Sequence, residues 1–353
     1  MKPVVKKLLG SPLVGALASP LSVDDYLALI DRRLSLREPR GRVSAVARQT
    51  PDSVTLTIEP NDNWTGHRPG QHLLLGVDLD GVRHSRCFSI VSAPGDPLIE
   101  VTVKRNGDGR VSNFLVDHAE RGQLIYLSPA EGDFCPGPSV PERALLISAG
   151  SGITPVMGVL RDWLARDRVQ DVVFVHYARS RTDMIYAAEL AALDARHPGL
   201  RVETVYTAGG GGRIDAAALD GRVPDLAERE TWLCGPAGFM DAAEPLIRAR
   251  SNRPLHREQF AATRREAAHG EGAVQFVKSD IAASGENGSL LEVAEGAGLK
   301  PAYGCRMGIC HACKCRVSEG TVRDLRTNRV RDVRDTDLQL CIHAAAGDVA
   351  VEL

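Results

Sequence analysis

Residues 301–315 read PAYGCRMGICHACKC, and this stretch decides how the C-terminal part of the chain folds. Cys305, Cys310 and Cys313 stand in the order C-x4-C-x2-C, and Cys341 follows in LQLCIH. That is the spacing in which four thiolates hold a [2Fe–2S] cluster. Glycine suits such a loop. Gly304 and Gly308 let the backbone turn tightly and bring N–H groups to sulfur where a Cβ would obstruct. Structural zinc is a competing use of four cysteines, but zinc ribbons pair C-x2-C with C-x2-C. A Rieske centre needs two histidines, and Cys341-x-His343 supplies half of that pattern. Cys315, two residues past Cys313, is expected to be a structural thiol on a strand.

Around this loop, AVQFVKS, a helical SLLEVAEGAG and a closing DVAVEL predict a mixed sheet with one helix over residues 272–353. Residues 256–271 read as a linker. Upstream, residues 141–255 alternate strands with helices: ALLISAG, TPVMGVLRDWLARD, DVVFVHYA, a further helix, VETVYTA and TWLCGP. That order implies a parallel sheet wound with helices. Residues 39–140 carry six short strands, RVSAVARQ, SVTLTIEP, HLLLGVDL, VRHSRCFSIV, LIEVTVKR and QLIYLSP, with a hairpin signal at Asp80-Gly81. Six short strands at regular spacing predict a small antiparallel β-barrel. The fold class is therefore multidomain: antiparallel barrel, α/β parallel sheet, and a small α+β unit.

Residues 1–38 form an extension too short to be a domain. Ser22 is the expected N-cap of a helix whose apolar side is Leu27, Leu29 and Ile30, packing back on the body or docking a partner or membrane surface. LLGSPLVGALAS after Lys6 and Lys7 imitates a signal peptide, but Gly10, Pro12 and Gly15 interrupt its apolar core. The 353 residues carry 43 basic and 45 acidic side chains, a net charge of −2, which leaves no electrostatic footprint for nucleic acid. No run of 18 apolar residues is present, so no transmembrane segment is expected. Eight cysteines without disulfide-like density point to a reducing cytoplasm.

Four further motifs carry chemistry. Arg86-Cys87-Phe88-Ser89 lies on the fourth strand, where alternation puts Arg86 and Phe88 on one face and Cys87 and Ser89 on the other. Gly109-Arg110-Val111-Ser112 reads as a turn into a helix, whose free N–H groups, with Ser112 and Arg86, suit a pyrophosphate. A plain helix cap at Ser112 is the alternative. Gly150-Ser151-Gly152-Ile153-Thr154 follows a strand and opens a helix, the position where α/β sheets bind dinucleotides. Cys234-Gly235-Pro236 ends a later strand of the same sheet. The glycines at 209–212 read as a loop.

In this order and spacing the motifs resemble the ferredoxin–NADP reductase superfamily, with a C-terminal domain similar to a plant-type ferredoxin of the β-grasp fold. The resemblance implies that Arg86 grips the phosphates of FAD, Phe88 stacks on the flavin and Ser89 sits near its reactive nitrogen. Cys87, Val103 and Lys104 join that site, and Gly109, Arg110, Val111 and Ser112 hold the pyrophosphate in a segment that favours FAD over FMN. Gly150, Ser151, Gly152, Ile153 and Thr154 form the nicotinamide-dinucleotide loop with Gly235 and Pro236. Cys234 flanks the carbon that releases hydride, so Ser89 and Cys234 are the expected catalytic residues. Arg179, Ser180 and Arg181 sit where the family reads the ribose. Two arginines and a hydroxyl suit a 2′-phosphate, favouring NADPH over NADH. HREQF leaves two readings open: Glu258 or Phe260 lies over the flavin, or the linker begins there.

The combination has a physical logic. Nicotinamide gives two electrons as hydride, a [2Fe–2S] cluster takes one at a time, and a flavin bridges the two. The expected path is NADPH, FAD, the cluster on Cys305, Cys310, Cys313 and Cys341, then a one-electron acceptor protein. SPLSVDDYLALI, NDNWTGHRPGQ and GVRHSRCFS look most like the electron-transfer partners of membrane di-iron acyl-CoA Δ9-desaturases. A cytoplasmic monomer approaching the inner membrane face peripherally follows from that likeness, with Lys6, Lys7, Arg32, Arg33, Arg37 and Arg40 as either a docking surface or a solvated charged face. The alternative acceptor is a soluble ring-hydroxylating, steroid or acyl-CoA oxygenase. A reading from another class is an iron–sulfur redox sensor, which would bind cofactors yet fail to reduce acceptors with NADPH.

Overall fold

Short β-branched runs separated by turn residues dominate residues 40–127, and in the computed structural model they become strands. The structure describes residues 3–19, 21–107, 109–137, 139–258, 270–286, 288–303, 308, 313–325 and 328–353. The chain divides into two units, Met1–Gln259 and Phe260–Leu353.

The first unit opens with three short helices, α1 (Pro3–Leu9), α2 (Pro12–Ala18) and α3 (Val23–Ile30). Ser22 caps α3 as expected, in a reciprocal box with Asp25. The apolar side is a different matter. Leu27 is buried, but Leu29 and Ile30 are 83% and 81% exposed, so only part of that side packs on the body. The reason is an anchor on the face that holds Leu27: Asp24 accepts from the Ser35 hydroxyl and the Leu36 N–H, each at 2.7 Å. The nearby arginines are largely engaged within the chain. Arg33 pairs with Asp31 and Glu59 at 3.2 and 3.0 Å, and Arg40 with Glu38 at 2.8 Å.

Six strands follow: β1 (Arg40–Thr50), β2 (Ser53–Pro60), β3 (His72–Leu79), β4 (Val82–Ser89), β5 (Ile99–Lys104) and β6 (Leu124–Leu127), with α4 (Arg110–His118) between the last two. They form one antiparallel sheet in the order β4-β3-β6-β1-β2-β5. A bridge between Ile90 and Val101 joins the two ends of this order, which closes the sheet around Leu56, Leu73, Leu75 and Val101. The β3–β4 turn is the two-residue Asp80-Gly81 hairpin, both residues at positive φ (53° and 77°).

The parallel sheet contains β7 (Ala144–Ala149), β8 (Val172–Ala178), β9 (Leu200–Tyr206), β10 (Glu230–Cys234) and β11 (Leu255–Glu258), in the order β11-β10-β7-β8-β9. Helices α5 (Ile153–Ala165), α6 (Ala187–Arg196), α7 (Ala216–Arg222) and α8 (Ala237–Arg248) connect them. Strand β11 corrects the expected linker: residues 256–258 are the last rungs of the sheet, paired with Trp232, Leu233 and Cys234. Four residues that follow Pro254 and lack a clean alternation gave no strand signal.

Three devices join barrel and sheet. Gly158 on α5 lets that helix approach the barrel so closely that a Cβ would lie 2.6 Å from the Ile90 carbonyl oxygen. Arg161, one turn later, ion-pairs with Glu100 of β5 at 2.6 Å and with Glu189 of α6 at 2.7 Å. The Tyr186 hydroxyl, buried beside it, hydrogen-bonds Thr102 of β5, and burial pushes that phenol up to about 12.

The second unit contains β12 (Ala273–Phe276), β13 (Ile281–Ser284), α9 (Leu290–Gly296), β14 (Lys314–Asp324), β15 (Val330–Gln339) and β16 (His343–Val351), in the sheet order β13-β12-β16-β14-β15. Only β12 and β16 run parallel, giving the expected mixed sheet with one helix. Cys315 lies on β14, where its thiol donates to the Glu352 carbonyl at 3.4 Å. The charged run before Cys341 is edge strand β15. Alternating Arg and Asp on an edge keep it from pairing with another chain.

One buried group makes stability depend on pH. His176 of β8 is enclosed in the sheet core, bonded to Ser148 at 2.9 Å, and burial lowers its pKa to about 3. The folded state therefore holds it neutral while the unfolded chain binds a proton below about pH 6.5. Its contribution is fully present above that pH and declines as pH falls toward 3. Urea unfolding from about pH 7 to about 4.5 is expected to cost the wild type about 2–3 kcal/mol more than His176→Asn.

Candidate functional site at the seam of barrel and parallel sheet

The carboxyl edge of the parallel sheet faces the outer side of β3 and β4. Register pairs Phe88 with Leu73 and Arg86 with Leu75, so those two share the face of the barrel core. Cys87 and Ser89 share the other face with Leu74 and His72. Phe88 is half-buried with one side against the core. Arg86 donates to the Ser85 carbonyl at 2.8 Å.

Helix α4 packs beside β4. Its N-cap is Gly109, and no side chain caps its first turn. Ser112 is therefore not the cap: its hydroxyl donates back to the Gly109 carbonyl at 3.2 Å. A Cβ at Gly109 would meet Ser112 Oγ at 2.5 Å, so the turn requires glycine. An uncapped helix start of this kind is an anion site in waiting. Arg110 reaches Asp80 at 3.5 Å, and the side chain of Val111 is buried in the core. Val103 also points into the barrel core, leaving only its main chain for a ligand, and Lys104 pairs with Asp52 at 3.2 Å.

Across the seam, Gly150 (φ 54°), Ser151 and Gly152 form a single turn of 3₁₀-helix leading into α5. A Cβ on Gly152 would sit 2.4 Å from the Cys234 carbonyl oxygen, so this glycine lets the loop lie directly against Cys234-Gly235-Pro236. Thr154 donates to the Ser151 carbonyl at 3.0 Å, and Ile153 is buried. Pro236 caps α8, and Gly235 lies under the Phe239 ring, which packs on Tyr177 with centroids 5.2 Å apart. Cys234 is fully buried, and that burial, with the Glu258 charge second, pushes its thiol well above the ordinary range. It stays protonated.

Beyond β8, Arg179 and Arg181 are exposed and form no ion pair among the described residues. Ser180 donates to Asp183 at 2.5 Å, which occupies the one nearby carboxylate.

In the second unit the Gly308 N–H donates to Cys341 Sγ at 3.2 Å, with Gly308 at φ 73°. A Cβ there would collide with Ile342 at 2.7 Å. Cys313 and Cys341 are both buried, and the Cys313 carbonyl accepts from the Leu340 N–H at 3.1 Å, which ties the segments around the two cysteines together. Cys305, Cys310 and Gly304 lie outside the described residues.

Comparison with known proteins agrees with this architecture. Residues 146–245 match the family "Oxidoreductase NAD-binding domain", and residues 278–345 match "2Fe-2S iron-sulfur cluster binding domain". A "NADPH oxidoreductase" of Mycobacterium tuberculosis is 38% identical over 97% of this chain and 91% of its own. The "3-ketosteroid-9-alpha-monooxygenase, ferredoxin reductase component" of Rhodococcus rhodochrous is 31% identical over 79% of this chain and 86% of its own. In three dimensions the chain resembles phthalate dioxygenase reductase, with a TM-score of 0.62 at 20% identity, over 89% of this chain and 97% of that one. The chain is a ferredoxin reductase-type NAD(P)H oxidoreductase.

The reductase carries FAD/NAD(P)-binding and [2Fe–2S] domains. Its residues fit those groups. Ser89 Oγ is buried without a hydrogen-bond partner among the described residues, the start of α4 has no side-chain cap, and the Gly308 N–H is aimed at the Cys341 sulfur. Of two further residues at the seam, His72 was singled out by no motif and Glu258 only as one reading of HREQF. His72 Nδ1 and Glu258 Oε1 are 3.1 Å apart, with side chains 6% and 10% exposed. The one signal for His72 was a histidine opening an otherwise apolar strand; Glu258 stood between two readings, and Phe260 lies outside the described residues.

The tight packing of Gly152 yields a prediction for the reductase. Gly152→Ala must push the loop off Cys234, and a displacement near 1 Å costs roughly tenfold to a hundredfold in hydride transfer. Stopped-flow reduction by NADPH should show that loss while the bound flavin content stays unchanged.

Proposed function

We propose that this reductase takes hydride from NADPH and delivers electrons singly, through its C-terminal cluster, to a membrane fatty-acyl-CoA desaturase. In this reading Arg86 and the start of α4 hold the FAD pyrophosphate, Phe88 lies against the ring, and Ser89 meets its reactive nitrogen. Cys234 stands beside the nicotinamide as a neutral thiol, so no thiolate competes for the positive charge that forms there. When bound, the flavin accepts two electrons as hydride and releases them one at a time. Cys305, Cys310, Cys313 and Cys341 hold the cluster that receives them.

The observation that carries the choice of acceptor is the surface of the N-terminal helices. Eight of the fourteen exposed large apolar side chains among the described residues fall between Val5 and Ile30, including Leu8, Leu13, Leu17, Leu21, Leu29 and Ile30 at 50–83%. No single helix among the described residues is long and apolar enough to cross a membrane, though α2 and α3 together, bent by 72°, match on length and composition. Short helices with outward leucines suit shallow contact with a bilayer or a membrane enzyme. The likeness to an NADPH oxidoreductase along nearly the whole chain supports the nucleotide, and so do Arg179 and Arg181, which form no ion pair among the described residues. A second reading, delivery to a soluble oxygenase, draws on the relative named as a ketosteroid monooxygenase component.

Membranes containing a Δ9-desaturase, supplied with this protein and NADPH, are expected to convert saturated acyl-CoA to the monounsaturated product. Removing residues 1–38 should abolish that conversion while NADPH-driven cytochrome c reduction continues. Full support of desaturation by the truncated chain would refute the role of the helices, and product formation only with soluble oxygenases would favour the second reading. For the nucleotide, replacing both Arg179 and Arg181 by Ala should raise the KM for NADPH roughly tenfold and leave that for NADH unchanged, since a charge-assisted phosphate contact contributes about 1.5–3 kcal/mol.

A further inference from the structure

The seam between barrel and sheet contains a buried acid–base pair that the reading above does not use. His72 opens β3, and Ser89 lies directly opposite it on β4, on the same face. Glu258 ends β11, and Cys234 lies directly opposite it on β10. The His72–Glu258 hydrogen bond thus links the two expected catalytic residues, one from each half of the unit. Of the nine side-chain atoms buried without a partner among the described residues, three belong to this pair and to the residue facing it: His72 Nε2, Glu258 Oε2 and Ser89 Oγ. Unpaired buried polar atoms are destabilising, and three on residues joined by one strand register and one hydrogen bond point to a surface completed by a ligand.

We propose that His72 Nε2, oriented by Glu258, accepts the proton left at the flavin after each turnover. This rests on the flavin reading above and deepens it. Each hydride brings two electrons and one proton, and the iron–sulfur acceptor takes only the electrons. The balance is NADPH plus two oxidised one-electron acceptors giving NADP⁺, two reduced acceptors and one proton. That proton needs a base in a site walled off from water. With Glu258 ionised, Nδ1–H donates to its carboxylate and leaves the Nε2 lone pair open, on the face it shares with Ser89. Glu258 then stabilises the imidazolium that forms, as a carboxylate does behind the histidine of a hydrolase triad. Cys234 cannot compete for this role, because it is already held as a thiol. The other charged or titratable groups around the pair are Glu131, whose backbone pairs with His72, and Cys135 with its neighbours Arg68 and Asp133. A Cβ on Gly132 would sit 2.8 Å from His72 Nδ1, so the ring is also clamped from that side.

His72→Gln keeps a hydrogen bond to Glu258 but removes the base. In stopped flow on the holoenzyme, with cytochrome c as acceptor, flavin reduction by NADPH is expected to stay within about twofold of wild type. Flavin reoxidation should slow at least about tenfold and lose its solvent deuterium isotope effect. Glu258→Gln should move the acid limb of the reoxidation profile to lower pH, and Glu258→Asp should restore it. A readout independent of turnover is the His72 ring tautomer by nitrogen NMR in the oxidised protein, with the hydrogen on Nδ1 facing Glu258 in the wild type and that preference lost in Glu258→Gln. Wild-type reoxidation in His72→Gln with full flavin content would overturn the proposal. If that variant loses flavin, an unchanged pH limb in Glu258→Gln overturns it instead. A wild-type protein that binds no FAD would sink the flavin reading itself, which is a separate result.

Discussion

The guanidinium of Arg161 sits between two carboxylates contributed by different halves of the first unit, Glu100 of the barrel and Glu189 of the parallel sheet's helix α6. Mostly buried charges are tolerated only when paired and hydrogen-bonded, and breaking such a pair leaves an uncompensated ion in low dielectric. Arg161 therefore fixes where α5 lies against β5. Gly158 permits the same approach by having no side chain to hold the helix away from Ile90. Everything at the seam, from the Gly150–Gly152 turn to Cys234, inherits its position from this contact.

A fixed seam matters because the chemistry divides between two scaffolds. On the function proposed above, the barrel contributes Ser89 and the uncapped start of α4, while the sheet contributes Cys234 and the Gly150–Gly152 turn. Hydride transfer demands that the two rings meet with little tolerance, and a rigid boundary supplies this more reliably than flexible loops would. Polar atoms left unsatisfied within such a boundary are destabilising in the empty protein. That is the ordinary mark of a surface shaped for a ligand rather than for its own stability.

Where local backbone geometry demands a glycine, the position was legible from the chain. Gly109, Gly152 and Gly308 stand at turns where a Cβ would collide, and the cysteine spacing reflects the reach of a single loop around a cluster. Burial was less legible. Leu29 and Ile30 share an apolar side with Leu27 that the sequence left either packed on the body or free to dock, and they face outward because Asp24 anchors a different side of α3. Strand β11 was hidden for a similar reason. Four mixed residues become a strand only because β10 offers a free edge to pair with.

The sequence by itself determined the cysteine framework, the order of barrel, parallel sheet and mixed sheet, and the tight glycine turns at Gly109, Gly152 and Gly308. These depend on covalent spacing and on the conformational preferences of a few neighbouring residues. Only the tertiary structure decided that His72 and Glu258, 186 residues apart, share a hydrogen bond in a buried seam. No local pattern encodes such a pair, because its geometry comes from the sum of two sheets and the packing of α5 between them.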